Sequence, residues 1–318
     1  WYFTTQGIDG FKPPIIKSTI INSCTNSLSA VIPALELMAL YLAAAMHDYD
    51  HPGKTNSFLV TTSDPLAILY NDRSVLEQHH AASSWLLLLD DDKNFIGHLP
   101  APEKSRLRFL ILECILATDL SKHFELLGSF RSKTIISRQD CAIANKINWG
   151  NDSIRLLVSQ LLIKMSDIGN CGKPKNLQLA WAERVCTEFF IQGDEEKSRN
   201  LPISAFMDRA NPNISKLQRD FIRNLVQPTA KTLRQANIIP CTEIECPLMD
   251  NLQMNLDFWD QISDTDPFEI AIRKKITARH STYTSRGSVN QYQGYQGILR
   301  ESVRFSKISY YCPSSSSP

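Results

Sequence analysis

The sequence predicts an all-α fold. Apolar residues recur at helical spacing over most of the chain, the alternating pattern typical of β-strands is almost absent, and no internal repeat is evident. A chain of 318 residues is also long enough to bury a substantial core. The length fits one large helical domain or two average ones.

The N-terminal half predicts a series of helices after an irregular start. Residues 1–32 are rich in Ser, Thr, Asn and Pro, which is typical of irregular structure. Pro33 suits the first position of a helix that runs through Met46, and Pro52 with Gly53 punctuates the stretch after it. Apolar periodicity predicts further helices at about 65–70, 74–90, 103–117 and 121–128.

The C-terminal half predicts longer helices. Asp152 suits the N-cap of a helix with one apolar face that delivers Asp167 at its far end. Gly193 is expected to stop the next helix, and Pro228 to bend the one after it. These later helices are predicted at about 176–192, 213–236 and 248–262.

Composition divides the chain into three parts. Near residue 267 the sequence changes to Ser, Tyr, Gln, Gly and Arg and ends in a serine run, which predicts a disordered tail. The predicted organisation is therefore an irregular N-terminal segment, a helical domain and a tail, at residues 1–32, 33–266 and 267–318.

Charge and hydropathy exclude several classes of partner. The chain has 34 Lys and Arg against 33 Asp and Glu, so no general field attracts nucleic acid or an anionic membrane. The longest wholly apolar run, residues 37–46, is about half of a bilayer span, and the N-terminus lacks signal-peptide features. Eight cysteines without a Cys-x-x-Cys pair predict reduced thiols. We expect a soluble, cytosolic chain without a membrane segment.

A polar stretch after the first predicted helix contains candidate metal ligands. In AMHDYDHPGKTN, His47 and His51 are four residues apart and share one helical face, with Asp48 beside them. Imidazole and carboxylate groups at this spacing are compatible with a metal site. A helix end with solvated polar side chains explains these residues equally well, so the stretch alone leaves both interpretations open.

Asp167 favours the metal interpretation. It ends an apolar helix in LLIKMSDIGN, where a carboxylate opposes the helix dipole and is either exposed or held by a cation. A His–Asp pair with a distant aspartate fits a two-metal hydrolytic centre, and a solvated aspartate is the alternative. Glu77 and His80 in LEQHHAA lie on another helix, where an adjacent histidine pair is more often structural than ligating.

Longer motifs carry a resemblance to a known family. They occur in a fixed order along residues 28–262: IPALELMALYLAAAMHDYDHPGKTN, YNDRSVLEQHHAA, ILATDLSKHF, TEFFIQGDEE, LPISAFMDR and KLQRDFI. Their order and spacing resemble the catalytic domain of class I 3',5'-cyclic nucleotide phosphodiesterases, which belong to the HD-type metal phosphohydrolases. NDRSVLEQHH together with LPISAFMDR is most similar to the cGMP-inhibited, type 3 branch.

The resemblance implies a compact all-helical catalytic domain with two cations in its pocket, Zn²⁺ and a second divalent ion, Mg²⁺ or Mn²⁺. On the matching positions His47, Asp48 and Asp167 are metal ligands, and Asp48 lies between the two cations. The implied reaction is in-line attack of a bridging hydroxide on the cyclic phosphate, which releases a 5'-monophosphate.

Three further residues match supporting positions of the implied centre. His51, Glu77 and His80 correspond to groups that orient water and fix the tautomers of the ligands. The implied catalytic group therefore consists of Asp48, Glu77 and His51. The type 3 resemblance implies cyclic AMP and also cyclic GMP as substrates.

The nucleotide end of the implied pocket lies in KLQRDFI. Gln218 and Phe221 are three residues apart on one helical face, and in the family this amide binds the purine edge while the ring stacks on it. An amide that is free to rotate could serve adenine or guanine. Apart from the resemblance, the favoured interpretation of Gln218 and Phe221 would be an exposed amide beside a ring in the core. Val185 and Leu120 match positions on the pocket wall.

One motif of the family is missing. The resemblance places a His-Asn-x-x-His-Ala motif just before WYFTT, with a general-acid histidine and a further metal ligand, and the printed chain starts at Trp1. We therefore expect the chain as printed to hydrolyse cyclic nucleotides poorly. A cyclic-nucleotide-binding protein without turnover and another HD-type nucleotide phosphohydrolase are the alternatives. Nucleic acid is not an expected partner, and a homodimer is left open.

Overall fold

The structure, a computed structural model, describes residues 31–134, 147–239, 246–262 and residue 274. Within these ranges every regular element is a helix and no β-strand occurs, which confirms the predicted all-α fold. The helices belong to the compact unit Trp1–Ile272. Residues 1–30 and the predicted tail, apart from residue 274, lie outside the described residues, so the domain boundaries stay predictions.

The first helices agree with the sequence to within a few residues at most ends. They are α1 (Ala34–Met46), α2 (Asn56–Thr61), α3 (Pro65–Leu69), α4 (Val75–Leu89), α5 (Ala101–Leu116), a 3₁₀ segment (Leu120–Lys122) and α6 (His123–Thr134). The sequence does not predict α2, because six residues are too few to show a period. It forms where the Thr55 hydroxyl accepts from the Phe58 N–H and Phe58 and Leu59 are buried.

The later helices complete the domain. They are α7 (Asp152–Asp167), a 3₁₀ segment (Ile168–Gly172), α8 (Lys175–Ser198), α9 (Ile214–Phe221), a π-helical segment (Ile222–Val226), α10 (Gln227–Gln235) and α11 (Pro247–Gln261). The predicted N-cap of α7 is wrong by one residue. The Asn151 side chain accepts from the Ser153 and Ile154 N–H groups, whereas Asp152 is the first helical residue and accepts a hydrogen bond from Arg155.

The predicted stop at Gly193 is also wrong, because α8 continues to Ser198. A Cβ atom at Gly193 would overlap the Met207 carbonyl oxygen, so the glycine allows close approach of another segment. Pro228 lies in the first turn of α10, directly after the π-helical segment. The long predicted helix therefore changes its hydrogen-bonding pattern just before the proline.

A hydrophobic core cluster of the described residues lies between α1, α4, α5 and α7. Small residues of α1, Ala39 and Ala43, are buried against the apolar faces of α4 and α5. Their size allows close helix packing. The cluster also contains Trp85, Leu88, Leu107, Leu110, Ile111, Cys114, Ile115 and Ile163.

A buried ion pair joins α1 to α7 near their N-termini. Nε and Nη2 of Arg155 donate to the two carboxylate oxygens of Glu36 over 2.7 and 2.9 Å. Both residues are buried, and Nη1 of Arg155 donates to the Trp149 carbonyl over 2.6 Å. This bidentate contact fixes the two helices against each other.

Two expectations concern thiols and membranes. Cys114, Cys171 and Cys186 are free and buried, but Cys246 takes part in a disulfide, so the prediction of reduced thiols is wrong at this cysteine. Spacing alone cannot exclude a disulfide, because pairing depends on which Cβ atoms the fold brings together. Among the described residues, no helix combines the length and hydropathy needed to cross a membrane.

Candidate functional site

The C-terminal ends of α1 and α7 bring the three predicted metal ligands together. His47 directly follows α1, and Asp167 is the last residue of α7. Nε2 of His47 lies 3.3 Å from Oδ2 of Asp48 and 3.4 Å from Oδ1 of Asp167. One ligand atom of each side chain lies within 4.8 Å of the other two, and no second such group occurs among the described residues. A single cation could contact all three.

The donor set fits a divalent cation. Nδ1 of His47 donates to the Ala44 carbonyl over 2.9 Å, so the neutral ring presents an unprotonated Nε2 to the aspartates. One imidazole nitrogen and two carboxylates suit Zn²⁺ and related ions. The Asp48 side chain is 63% exposed and that of His47 only 12%, so the site is open to water and to a second cation at Asp48.

Without a cation, the His47 ring supplies the positive charge of the cluster. Burial disfavours the charged ring, but the hydrogen bonds and charges of Asp167 and Asp48 outweigh it and raise the pKa of His47 to about 10. Loss of hydration opposes ionisation of Asp48, yet the hydrogen bond with His47 and the charge of that ring lower the pKa of Asp48.

The adjacent histidines of α4 hold the backbone beside the candidate ligands. Nδ1 of His80 donates to the Tyr49 carbonyl over 2.7 Å, and its Nε2 lies 3.9 Å from Oδ1 of Asp48. Nε2 of His79 lies 3.0 Å from Oδ2 of Asp50, whose φ is 60°. Burial lowers the pKa of His80 to about 4, so its ring is neutral. His79 therefore supports the turn at Asp50, which has a positive φ, whereas His80 contacts the Tyr49 carbonyl and lies close to the Asp48 carboxylate.

His51 lies at the exposed edge of the same cluster. Its Nδ1 accepts the Gly53 N–H over 3.0 Å, so a neutral ring carries its proton on Nε2. The ring stacks on His80 with centroids 5.4 Å apart and an interplanar angle of 24°. This contact fixes the ring plane.

Glu77 lies in the first turn of α4, one helical turn before His80. Its Oε2 accepts from Nδ2 of Asn56 over 2.9 Å. Burial raises the pKa of Glu77, and the Asn56 hydrogen bond acts in the opposite direction. The carboxylate is therefore held by one donor in a partly dehydrated position.

A buried lysine lies one turn before Asp167 on α7. Nζ of Lys164 donates to the Thr118 and Asp119 carbonyls over 3.2 and 2.9 Å. Burial lowers the pKa of Lys164 to about 8, although the charges of Asp167, Asp119 and Glu77 oppose the shift. Lys164 thus ties the end of α5 to the helix that carries Asp167.

A chain of hydrogen bonds holds the amide of Gln218. The indole N–H of Trp259, which can only donate, is directed at Oε1 of Gln178 over 3.2 Å. Nε2 of Gln178 then donates to Oε1 of Gln218 over 3.0 Å, and both glutamines are buried. Gln218 is therefore held in one orientation, in contrast to the freely rotating amide considered from the sequence.

The other predicted nucleotide-binding residues lie on three elements. Phe221 ends α9, one turn after Gln218, and is half-buried; Val185 is half-buried on α8. Both helices pack against α11. Leu120 begins a 3₁₀ segment and is 48% exposed. The π-helical segment that follows Phe221 is a feature frequent at functional sites.

Sequence reasoning missed Asn56, Lys164, Gln178 and Trp259. Lys164 leaves a visible signal, because it is a charged residue in an apolar helix three positions before Asp167. Asn56 lies at the end of the polar stretch after His51, and no pattern in the sequence indicates that its side chain contacts Glu77. The contacts of Gln178 and Trp259 depend on helix packing and leave no local signal.

Comparisons with known proteins identify the family of the chain. The family model of the 3'5'-cyclic nucleotide phosphodiesterase matches residues 15–245. The cGMP-inhibited 3',5'-cyclic phosphodiesterase 3A of Rattus norvegicus is 51% identical over 267 residues, which cover 76% of this chain and 23% of that protein. The probable 3',5'-cyclic phosphodiesterase pde-3 of Caenorhabditis elegans is 47% identical over 215 residues, 68% of this chain and 30% of that protein.

A solved structure gives the same result. The phosphodiesterase domain of the RhoPDE fusion protein from the choanoflagellate Salpingoeca rosetta matches with a TM-score of 0.63 and 31% identity, over 78% of this chain and 72% of that one. The chain spans about a quarter of the length of the curated relatives it matches. Because the family model covers well over half of the residues, the chain belongs to the 3'5'-cyclic nucleotide phosphodiesterase family and is most similar to its cGMP-inhibited type 3 branch.

Proposed function

We propose that this protein hydrolyses 3',5'-cyclic nucleotides, cAMP and cGMP, to 5'-monophosphates. The observation that carries the proposal is the convergence of His47, Asp48 and Asp167 at one point in a chain of this family. A cyclic phosphodiester needs neutralisation of phosphoryl charge and an activated water, and such a cluster can hold the cations that provide both.

Zn²⁺ fits the ligand set of Nε2 of His47 and the carboxylates of Asp48 and Asp167. The exposed carboxylate of Asp48 could also contact a second cation, Mg²⁺ or Mn²⁺. When bound, these ions supply Lewis-acid polarisation of the phosphate and a lower pKa for water.

The supporting residues have separate roles in the proposal. The hydrogen bond to the Tyr49 carbonyl keeps the proton of His80 on Nδ1, so the unprotonated Nε2 faces Asp48. His51 is fixed by stacking on His80 and can donate from Nε2. Glu77 contributes a carboxylate whose second oxygen can orient water near the ligands.

The purine would be bound by Gln218 and Phe221, with Val185 and Leu120 on the wall of the pocket. The support is the buried, oriented amide of Gln218 one turn from the Phe221 ring. Stacking of a base on an aromatic ring contributes about 1 to 3 kcal/mol. The substrates, a homodimeric state and a cytosolic location are parts of this proposal.

The test is release of 5'-AMP and 5'-GMP, with Zn²⁺ and Mg²⁺ supplied, by the printed chain and by the full-length gene product in parallel. We expect the full-length product to show turnover that a chelator abolishes and that Asp167→Asn lowers at least about a hundredfold, and the printed chain to show much less turnover. His98→Ala, at an exposed histidine, serves as the control. Binding of cAMP without turnover in both proteins would favour the binding protein, and absence of both would favour a different nucleotide substrate.

A further inference from the structure

Asn56 links two parts of the candidate site that are distant in sequence. It begins α2, immediately after the stretch that contains His47, Asp48 and His51, and its side chain reaches the first turn of α4. Oδ1 of Asn56 accepts the Leu76 N–H over 2.8 Å, and Nδ2 donates to Oε2 of Glu77 over 2.9 Å. One amide thus contacts two consecutive residues of α4.

The N-terminus of α4 explains why an external residue is needed. Its N-cap, Ser74, has a φ of 43° and makes no capping hydrogen bond with its side chain. The Ser74 hydroxyl instead donates to Oδ2 of Asp119 over 2.6 Å. The first N–H groups of a helix lack partners within the helix, so Asn56 provides the acceptor that Ser74 does not.

The chemistry of the cap fixes the orientation of the amide. A backbone N–H can only donate, so the Asn56 atom facing Leu76 must be the oxygen. The nitrogen is then directed at Glu77, where it meets an acceptor. We infer that Asn56 is a positioning residue that sets the orientation of the Glu77 carboxylate, an inference that rests on the proposed function.

Asn56 is itself held from α8. Oε1 of Gln192 accepts the Thr55 N–H over 2.9 Å, and Nε2 of Gln192 donates to the Thr55 hydroxyl over 3.1 Å. The same Nε2 also donates to Oε1 of the buried Glu196 over 2.9 Å. These contacts fix the backbone one residue before Asn56, so the amide is presented from a rigid support.

The hydrogen bond also affects the charge of Glu77. Burial favours its neutral form, and the charge of Asp119 acts in the same direction. Donation from Asn56 and the charge of Lys122 favour the ionised form, as does the nearby Lys164 ammonium, which interacts with Glu77. Asn56 therefore orients the carboxylate and helps to keep it ionised.

Asn56→Asp separates the two roles of the side chain. It keeps an acceptor for the Leu76 N–H but replaces the donor to Glu77 by a second carboxylate. We expect kcat to fall about tenfold or more with KM nearly unchanged, and the acid limb of the kcat profile to move to higher pH, because a like charge raises the pKa of Glu77. Ser57→Asp adds the same charge at the next, exposed residue and is expected to leave both unchanged.

A measurement independent of activity completes the test. A double-mutant cycle with Asn56→Ala and Glu77→Ala should show coupling of about tenfold or more in the unfolding equilibrium constant. Each single variant loses the hydrogen bond between Asn56 and the charged Glu77, and the double variant cannot lose it a second time. Absence of coupling, or an Asn56→Asp variant with the kcat and pH profile of the unsubstituted protein, would overturn the inference. If the unsubstituted protein shows no turnover, the proposed function fails, whereas the cycle still decides whether Asn56 holds Glu77.

Discussion

The Ala44 carbonyl determines which nitrogen of His47 faces the two aspartates. A carbonyl only accepts, so Nδ1 carries the proton and Nε2 is available as a ligand atom. The motif around His47 predicts a ligand from the sequence. Its tautomer could not be predicted, because the position of the Ala44 carbonyl depends on how α1 ends.

Loss of one ligand atom should weaken metal binding. We expect His47→Ala and Asp167→Asn each to lower the affinity for Zn²⁺ at least about tenfold, because affinity depends on ligand number and geometry. The affinity is measured by competition with a chromogenic chelator on the folded proteins. His98→Ala, at an exposed histidine outside the cluster, is the matched control. Unchanged affinity in Asp167→Asn would contradict its role as a ligand.

The orientation of Gln218 depends on a residue that the sequence does not connect with it. Trp259 fixes Gln178, and Gln178 fixes Gln218. Trp259→Phe removes the only group in this chain of contacts that cannot act as an acceptor, so both amides can then reverse. We expect the ratio of kcat/KM for cAMP and cGMP to move several-fold towards one. Trp149→Phe is the control, and an unchanged ratio in Trp259→Phe would show that the indole does not set base preference.

At the scale of helices, local signals predict the elements with strong periods and fail where packing decides. The apolar face of α7 and its end at Asp167 are predicted from the sequence. The six residues of α2 are not, because their helical state depends on the Thr55 cap and on burial of Phe58. In the sequence Gly193 resembles a helix stop. Its role is to allow close approach of the Met207 carbonyl, and the sequence near Gly193 does not indicate this contact with a later segment.

Two glycines in helices test this explanation. Gly193→Ala in α8 should lower the free energy of unfolding by about 1 to 3 kcal/mol, because the new Cβ overlaps the Met207 carbonyl. Gly128→Ala in α6 should raise the free energy of unfolding by about 0.5 to 1 kcal/mol, because a Cβ there meets nothing within 4 Å beyond its own helical turn and alanine favours the helix. Both are measured by urea unfolding. A stabilising Gly193→Ala would mean that the Met207 segment yields easily.

At the scale of the whole molecule, the candidate metal centre depends on the alignment of α1 and α7. Glu36 and Arg155 meet near the N-terminal ends of these helices, and His47 and Asp167 meet at the other ends. The two helices therefore run side by side in the same direction, with eleven and twelve residues, or about 16 to 18 Å, between the two contacts. Family motifs predict the ligands, whereas the pairing of Glu36 with Arg155 across 119 residues has no local signal.

Removal of this ion pair should affect both stability and the distant metal centre. Arg155→Met leaves Glu36 buried without its bidentate partner, so we expect the free energy of unfolding to fall by about 3 to 5 kcal/mol. Zn²⁺ affinity should fall as well, because α1 and α7 lose the contact that sets their register. Arg106→Met is the matched control, since Arg106 is 36% exposed and lies 3.4 Å from Glu36, and it should cost about 0 to 1 kcal/mol.

A double variant distinguishes the effect of a buried Glu36 charge that lacks its bidentate partner from the effect of the lost contact between α1 and α7. Glu36→Leu combined with Arg155→Met removes both charges and fills the space with apolar groups, so most of the lost stability should return. Zn²⁺ affinity should recover only if apolar packing restores the same register of α1 and α7. Equal loss of stability in Arg155→Met and Arg106→Met would contradict a special role for the buried pair. Full Zn²⁺ affinity in Arg155→Met would show that the core around Ala39 and Ala43 alone aligns the two helices.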